Sequence, residues 1–246
     1  MGLWAKIFPP TDPLNLPARL WVKRHLVWLQ QQFGFDRLIN SPIITPTDKF
    51  FPDRFDGSPA TIEPLFHRVC DLMEVSREIV QLRLFSNDQM IGFVTETGFA
   101  VGVAGGTYEE DFDGFVINLD RAQISSPMTA VAILAHELSH LRLLGENRVD
   151  PDRLDHELLT DLCAVYFGFG VFAANSPAYV TPTDRCWPGT GLWMPEYMTL
   201  PMHAYALALI AQVRFEENPP WAKYLKRDAA SAFRHAQKWL ATEQAG

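Results

Sequence analysis

The sequence predicts an α+β fold, with a small and mostly antiparallel sheet packed with a predominantly helical body. Three observations carry that expectation. Apolar residues recur at helical spacing in several segments that open on proline or serine and close on glycine. Between residues 90 and 119 the runs become short and β-rich, separated by glycine or acidic turns. Beyond Ser126 the helical period returns and holds for most of the remaining chain.

Residues 17–33, PARLWVKRHLVWLQQQF, start on a proline and stop at Gly34. Trp21, Leu26, Leu29 and Phe33 form the expected inner face, although Trp28 interrupts the stripe. Residues 40–61 are rich in Pro, Asp and Thr and read as an irregular connection that wraps over the core or lines a cleft. A second helix is expected over 62–85. Strands are expected at 90–95, 99–107 and 114–119. Ser125-Ser126-Pro127 then supplies an N-cap serine and a proline at the first helical position, and Gly145 supplies a stop. The helix between them covers 127–144. Another follows over 154–174, then a Pro/Gly/aromatic loop at 176–196, and two last helices at about 197–217 and 220–242. TPTDKFFP at 45–52 is echoed by TPTDRCWP at 181–188, which reads as two Pro-Asp turns with an aromatic anchor.

The chain of 246 residues is expected to form one domain: an N-terminal helix and wrapping segment (1–61), a core (62–175), and a loop with C-terminal helices (176–246). Apolar residues make up 48% and charged residues 20%, enough for one sizeable core. The net charge is −8 and no Lys/Arg stripe exists, which argues against nucleic acid as a partner. Cys70, Cys163 and Cys186 are odd in number, far apart and form no C-x-x-C pair, so a reducing compartment is expected. The opening MGLWAKIFPPTDPLNLP has prolines where a signal peptide needs an apolar core, and Lys6 stands where a myristoylation signal needs Ser or Thr. The longest apolar stretch, 158–174, contains Asp161 and two glycines and reads as a buried helix rather than a membrane span. A cytoplasmic protein without membrane partners is the resulting expectation; no residue speaks to oligomeric state.

The chemistry concentrates in His136-Glu137-Leu138-Ser139-His140. Four residues correspond to about 400° of helical rotation, so His136 and His140 share one face a turn apart. Both rings can then reach a single ion at about 2.0–2.1 Å. Glu137 is rotated by about 100°, unsuited to be a third ligand but able to reach a water bound there. The apolar run before the motif (Met128, Ala130, Val131, Ile133, Leu134) sets the site against a core. The competing reading is two ordinary core histidines with an exposed glutamate.

Zinc needs a third protein ligand and an open fourth position. On the next helix, Glu157 and Asp161 stand at i and i+4 within the otherwise apolar LLTDLCAVYFGFGVFAA. Acids at a helix start are favoured by the dipole, which accounts for Asp155 and Glu157. It accounts poorly for Asp161, embedded between apolar residues, where unpaired charge is costly. Asp155, His156 and Asp161 are rival third ligands to Glu157.

HELSH followed by E-x-x-x-D on the next helix resembles the gluzincin zinc metallopeptidases, the thermolysin-like group, over about residues 90–170. That resemblance implies one Zn2+ per chain between two consecutive helices, with His136, His140 and Glu157 as ligands. It implies Glu137 as general base and Asp161 as the residue that orients a ligand histidine. A peptide or protein substrate is implied too, paired to a sheet edge. The family often adds a Tyr or His that steadies the oxyanion, for which His203, Tyr205, Tyr197 and Tyr166 are candidates. The metzincin pattern fails at Leu143 and Glu146, which stand where that family needs Gly and His. Two further readings are a non-catalytic metal-binding or regulatory protein on the same fold, and a zinc hydrolase of a non-peptide substrate.

Overall fold

A computed structural model describes residues 11–85, 106–111, 114–122, 126–176 and 185–243. Helix α1 spans Leu16–Phe33, with Asn15 accepting from the Ala18 amide and Pro17 in its first turn. It buries Ala18, Trp21, Val22, His25, Leu26 and Leu29, so Phe33 lies at the edge of the stripe rather than in it. A short α2, Phe35–Asn40, follows Gly34, and α3 covers Pro59–Met73. Three strands follow: β1 at Val80–Phe85, β2 at Gly106–Asp111 and β3 at Gly114–Asp120. Helix α4, Pro127–His140, runs on into a π-turn at Leu141–Gly145. Helix α5, His156–Ala164, runs through a π-turn at Val165–Phe169 into α6, Gly170–Asn175. Helix α7 is Leu200–Val213, a 3-10 turn occupies Pro220–Tyr224, and α8 is Arg227–Glu243.

The expected sheet is overturned. Its order is β1-β3-β2, with β1 parallel to β3 from Val80↔Phe115 to Phe85↔Asp120 and β2 antiparallel to β3. The sheet is therefore mixed, not mostly antiparallel. The error lies in the helix expected over 62–85, which ends at Met73. Glu74 takes a left-handed conformation (φ 58°) and the Val75 amide closes the end on the Cys70 carbonyl at 2.9 Å. The next regular run, VQLRLF, has apolar residues at alternate positions and forms β1 instead. Of the strands expected from sequence, 90–95 and most of 99–107 lie outside the described residues, and 114–119 coincides with β3. The helix expected at 197–217 is confined to α7, and that at 220–242 is divided into the 3-10 turn and α8.

The chain forms two compact units, Pro46–Asp152 and the combination of Met1–Thr45 with Arg153–Gly246. In the first, α4 packs against α3 and against β2 and β3. Ile62, Phe66, Val69, Met73, Ile117, Leu119, Leu134 and Leu138 are buried there. In the second, α7 packs on α8, and α1 packs on α5 and α7. Its core is aromatic: Tyr166, Phe167, Phe169, Phe172 and Tyr205 are all fully buried. The run His156–Asn175 is long and apolar enough to cross a membrane by length and composition, and 89% of it is buried within the fold. Gly168 makes the bend in that run possible. Its φ is +96°, an added Cβ would lie 2.6 Å from the Pro42 carbonyl oxygen, and its own carbonyl accepts from the Ile44 amide at 2.9 Å.

The aromatic of each echoed segment is buried, Phe50 at 6% and Trp187 at 4% exposure; residues 181–184 of the second lie outside the described residues. Thr47 O accepts from the amides of Phe50 and Phe51, which closes the first of them. In the second unit the Trp187 ring packs beside Trp21 at 6.3 Å.

Candidate metal centre

Helix α4 begins as its sequence dictates, with Ser126 Oγ accepting from the Thr129 amide and Pro127 in the first turn. Ala130, Val131, Leu134, Ala135 and Leu138 fix its inner face. Three helical turns from the start, His136 and His140 stand one above the other. Their rings are edge-to-face, with centroids 4.9 Å apart and planes at 82°. Nε2 of each faces Nε2 of the other at 3.2 Å. Two nitrogens sharing one tetrahedral zinc at 2.0–2.1 Å stand about 3.3 Å apart. The pair therefore has the bite of two ligands on one ion, and the residues fit the group that the motif implies.

His140 is buried and His136 half-buried. Glu137, one position along, is only 3% exposed, so the expectation of an exposed glutamate under the core-histidine reading does not hold. The π-turn begins at the residue after His140. Glu146 N reaches back to Leu141 O at 3.0 Å, and Arg142 Nη1 donates to Glu74 O at 2.9 Å, tying the turn to the end of α3.

The acidic pair lies in the first turns of α5. Glu157 is half-buried, its side chain 17% exposed, and its Oε1 is 3.1 Å from His156 Nε2. His156 Nδ1 is 2.9 Å from the Arg153 carbonyl. The hydrogen bond to Glu157 raises its pKa above the ordinary 6.5, against the opposing effect of burial. Asp161 is buried at 8% exposure, and its Oδ2 accepts from the Met198 amide at 2.7 Å. One oxygen of the expected orienting aspartate thus holds the backbone that leads into α7. No pattern in the sequence announces a bond across 37 positions.

Asp155, a rival ligand, is committed elsewhere. Arg153 Nε and Nη2 donate to its two oxygens at 2.5 and 3.1 Å, and Trp21 Nε1 donates to Oδ2 at 2.6 Å. Burial works to raise its pKa, but these hydrogen bonds overcome it and hold the carboxyl below its ordinary value. Behind it, His25 Nδ1 donates to Trp21 O at 2.8 Å, while His25 Nε2 accepts from Arg153 Nη2 at 2.6 Å. Burial depresses the His25 pKa, in keeping with a neutral ring between a carbonyl and a guanidinium. Sequence reasoning missed Trp21, His25 and Arg153 as polar partners of this helix start. The close run Arg153, Asp155, His156, Glu157 was a signal of a local network, but Trp21, 134 positions away, carried none.

The four candidates for steadying an oxyanion separate clearly. Tyr166 donates to Gly34 O at 2.6 Å, joining α5's π-turn to the end of α1, and burial pushes its pKa up to about 12. Tyr205 is fully buried, with its pKa raised by burial and with Glu243, Arg19 and Asp12 as its charged surroundings. His203 is buried at 2% exposure within α7. Tyr197 alone is half-exposed, and it directly precedes Met198, whose amide Asp161 holds. Cys186 is exposed and lies in a short bridge to Trp193.

Comparison of the chain with protein-family models, with curated proteins and with solved structures gives no match.

Proposed function

We propose that this chain is a zinc-dependent hydrolase in which His136, His140 and Glu157, a group that could hold a metal ion through one donor atom each, bind a single divalent cation. The observation that carries this reading is the 3.2 Å approach of the two histidine Nε2 atoms on α4. Two imidazoles and a carboxylate are a donor set that would suit zinc in a hydrolytic site, where the fourth position is taken by water or substrate, rather than a purely structural one. Such an ion, when bound, acidifies a water toward a pKa of about 7 and polarises a carbonyl. Glu137 takes the proton from the attacking water on its carboxylate and returns it to the leaving group. Its burial in α4 supports that role, because a carboxylate withdrawn from bulk water is a better base for a proton close by. Asp161 fixes the backbone ahead of α7, and Tyr197 is the least buried of the four candidates for steadying an oxyanion.

The peptide bond as substrate rests on the gluzincin resemblance of HELSH with E-x-x-x-D and on one feature of the sheet. Among the described residues β2 pairs on one side only, with β3, and α4 packs against it. An extended peptide adds readily to such an edge. The motif itself specifies water activation, not the bond broken.

The test is metal analysis and turnover on the same preparations. The purified chain should take up about one zinc. Glu137→Gln should keep the metal and lose hydrolysis of a peptide library, whereas His136→Ala and His140→Ala should lose both. Undiminished hydrolysis by Glu137→Gln, or a wild-type chain that stays metal-free in added zinc, refutes the reading.

A further inference from the structure

The start of α5 carries an unbroken run of polar contacts that ends on the ligand carboxylate. Trp21 Nε1 donates to Asp155 Oδ2 at 2.6 Å. Arg153 clasps both oxygens of Asp155 through Nε and Nη2. The carbonyl of the same Arg153 accepts from His156 Nδ1 at 2.9 Å. His156 Nε2 then meets Glu157 Oε1 at 3.1 Å. His25 backs the run from the other side, holding Arg153 Nη2 at 2.6 Å while its own Nδ1 is fixed by Trp21 O. Each side chain from Trp21 to Glu157 is therefore held by at least one polar contact. His156 is half-buried, so solvent competes only partly for its bond.

We infer that Trp21, Arg153 and His156 are positioning residues for Glu157, a bracket that holds its carboxylate in the orientation a metal would need. A glutamate carries three side-chain rotors, and an unbracketed one orders them only on binding. Partners that pre-orient a metal ligand are worth about ten- to a hundredfold in affinity. The inference rests on the zinc reading above. It adds that Trp21, on a helix bearing no ligand, belongs to the metal centre.

Zinc affinity, by competition with a chromophoric chelator, and the visible spectrum of the cobalt form decide it, using the full chain. His156→Ala should weaken zinc about ten- to a hundredfold and alter the cobalt bands. His156→Gln, which keeps a donor toward Glu157, should restore affinity to within about threefold. Trp21→Phe keeps an aromatic ring but removes the N–H and should weaken zinc in the same direction. A metal-free melting temperature is read beside each variant. Because His156 is on the surface side of α5, its variants hold the test should Trp21→Phe fail to fold. Wild-type affinity and spectrum in His156→Ala overturn the bracket while leaving the zinc reading standing. Equal loss in His156→Ala and His156→Gln overturns it too, because His156 is then a ligand. A wild-type chain that binds neither ion overturns both, and that outcome differs from the others at the first measurement.

Discussion

Gly168→Ala is expected to be among the most damaging single-methyl changes in the chain. The residue sits in the π-turn between α5 and α6 at φ +96°, a conformation that costs an L-residue about 1–2 kcal/mol. The added Cβ would meet the Pro42 carbonyl oxygen at 2.6 Å and Ile44 Cγ1 at 3.3 Å. The first contact is with backbone, so relief requires segment 42–44 to retreat, at the roughly 1–3 kcal/mol typical of overpacking. That retreat pulls on the 2.9 Å bond from the Ile44 amide to Gly168 O. Against this, alanine restricts the unfolded chain and returns about 0.4–1 kcal/mol. The net expectation is a loss of about 3 kcal/mol, read as a lower urea midpoint at constant slope. Gly189→Ala is the control: φ is also left-handed (+72°), but nothing lies within 4 Å of the added atom. It should cost about 1 kcal/mol or less, the conformational part alone. Equal losses for the two variants would refute the claim that close packing of 42–44 against Gly168, rather than backbone conformation, dominates.

Other expectations follow from single contacts. Tyr166→Phe removes the 2.6 Å bond to Gly34 O and should cost about 0.5–1.5 kcal/mol, whereas Tyr205→Phe deletes a buried hydroxyl that has no hydrogen-bond partner among the described residues and should be neutral or stabilising in the same urea assay. His25 has a folded pKa depressed below 6.5 by burial, so the unfolded chain binds more protons as pH falls. Stability should therefore be full above about pH 6.5 and decline below it; Arg153, Asp155 and Arg24 are the charges around the ring, and His25→Gln should flatten the slope between pH 7 and 5. A thiol reagent should label Cys186 alone in the native chain and all three cysteines in denaturant, because Cys70 and Cys163 are buried and burial pushes the Cys70 pKa up to about 12. Labelling of Cys70 at the native rate of Cys186 would contradict the burial.

Helices with strong punctuation were legible in the sequence. Ser126-Pro127 and Gly145 bracket α4 and its π-turn, and Pro17 with Gly34 brackets α1. Where punctuation was absent the reading ran on. Nothing in MEVSREIVQL marks the end of α3, because the cap there is a glutamate in a left-handed conformation, a position more often given to glycine. That one missed cap hid β1, and with β1 the parallel half of the sheet. Similarly, the bend at Gly168 lies in a run whose apolar residues read as one continuous helix, since a π-turn changes backbone bonding without changing composition.

The candidate site divides along the same physical line. Ligand spacing within one helix is a property of helical geometry, so His136 and His140 could be read as a pair before any coordinates, and their Nε2 atoms do face each other. The choice of Glu157 over Asp155 could not be read in that way, since both are acids at the start of α5, one at its N-cap and one in its first turn. What Asp155 already holds argues against it under the proposed zinc reading. Asp155 has both oxygens taken by Arg153 and one of them also by Trp21. Glu157 Oε1 lies 3.1 Å from His156 Nε2. A carboxylate wrapped in donors gains little from a cation and must break charge-assisted bonds to reach one. One oriented by a neighbouring imidazole is better placed to serve as a ligand. Trp21→Phe and Arg153→Gln should consequently loosen Asp155 as well as Glu157. Should Asp155 then take over as ligand in those variants, the cobalt spectrum would change while zinc stoichiometry stayed at about one. Adding Glu157→Ala to either variant separates the two carboxylates. Zinc retained in the double variant would mean that Asp155 is a ligand held in reserve. Zinc lost would mean that the clasp on Asp155 serves Glu157 alone.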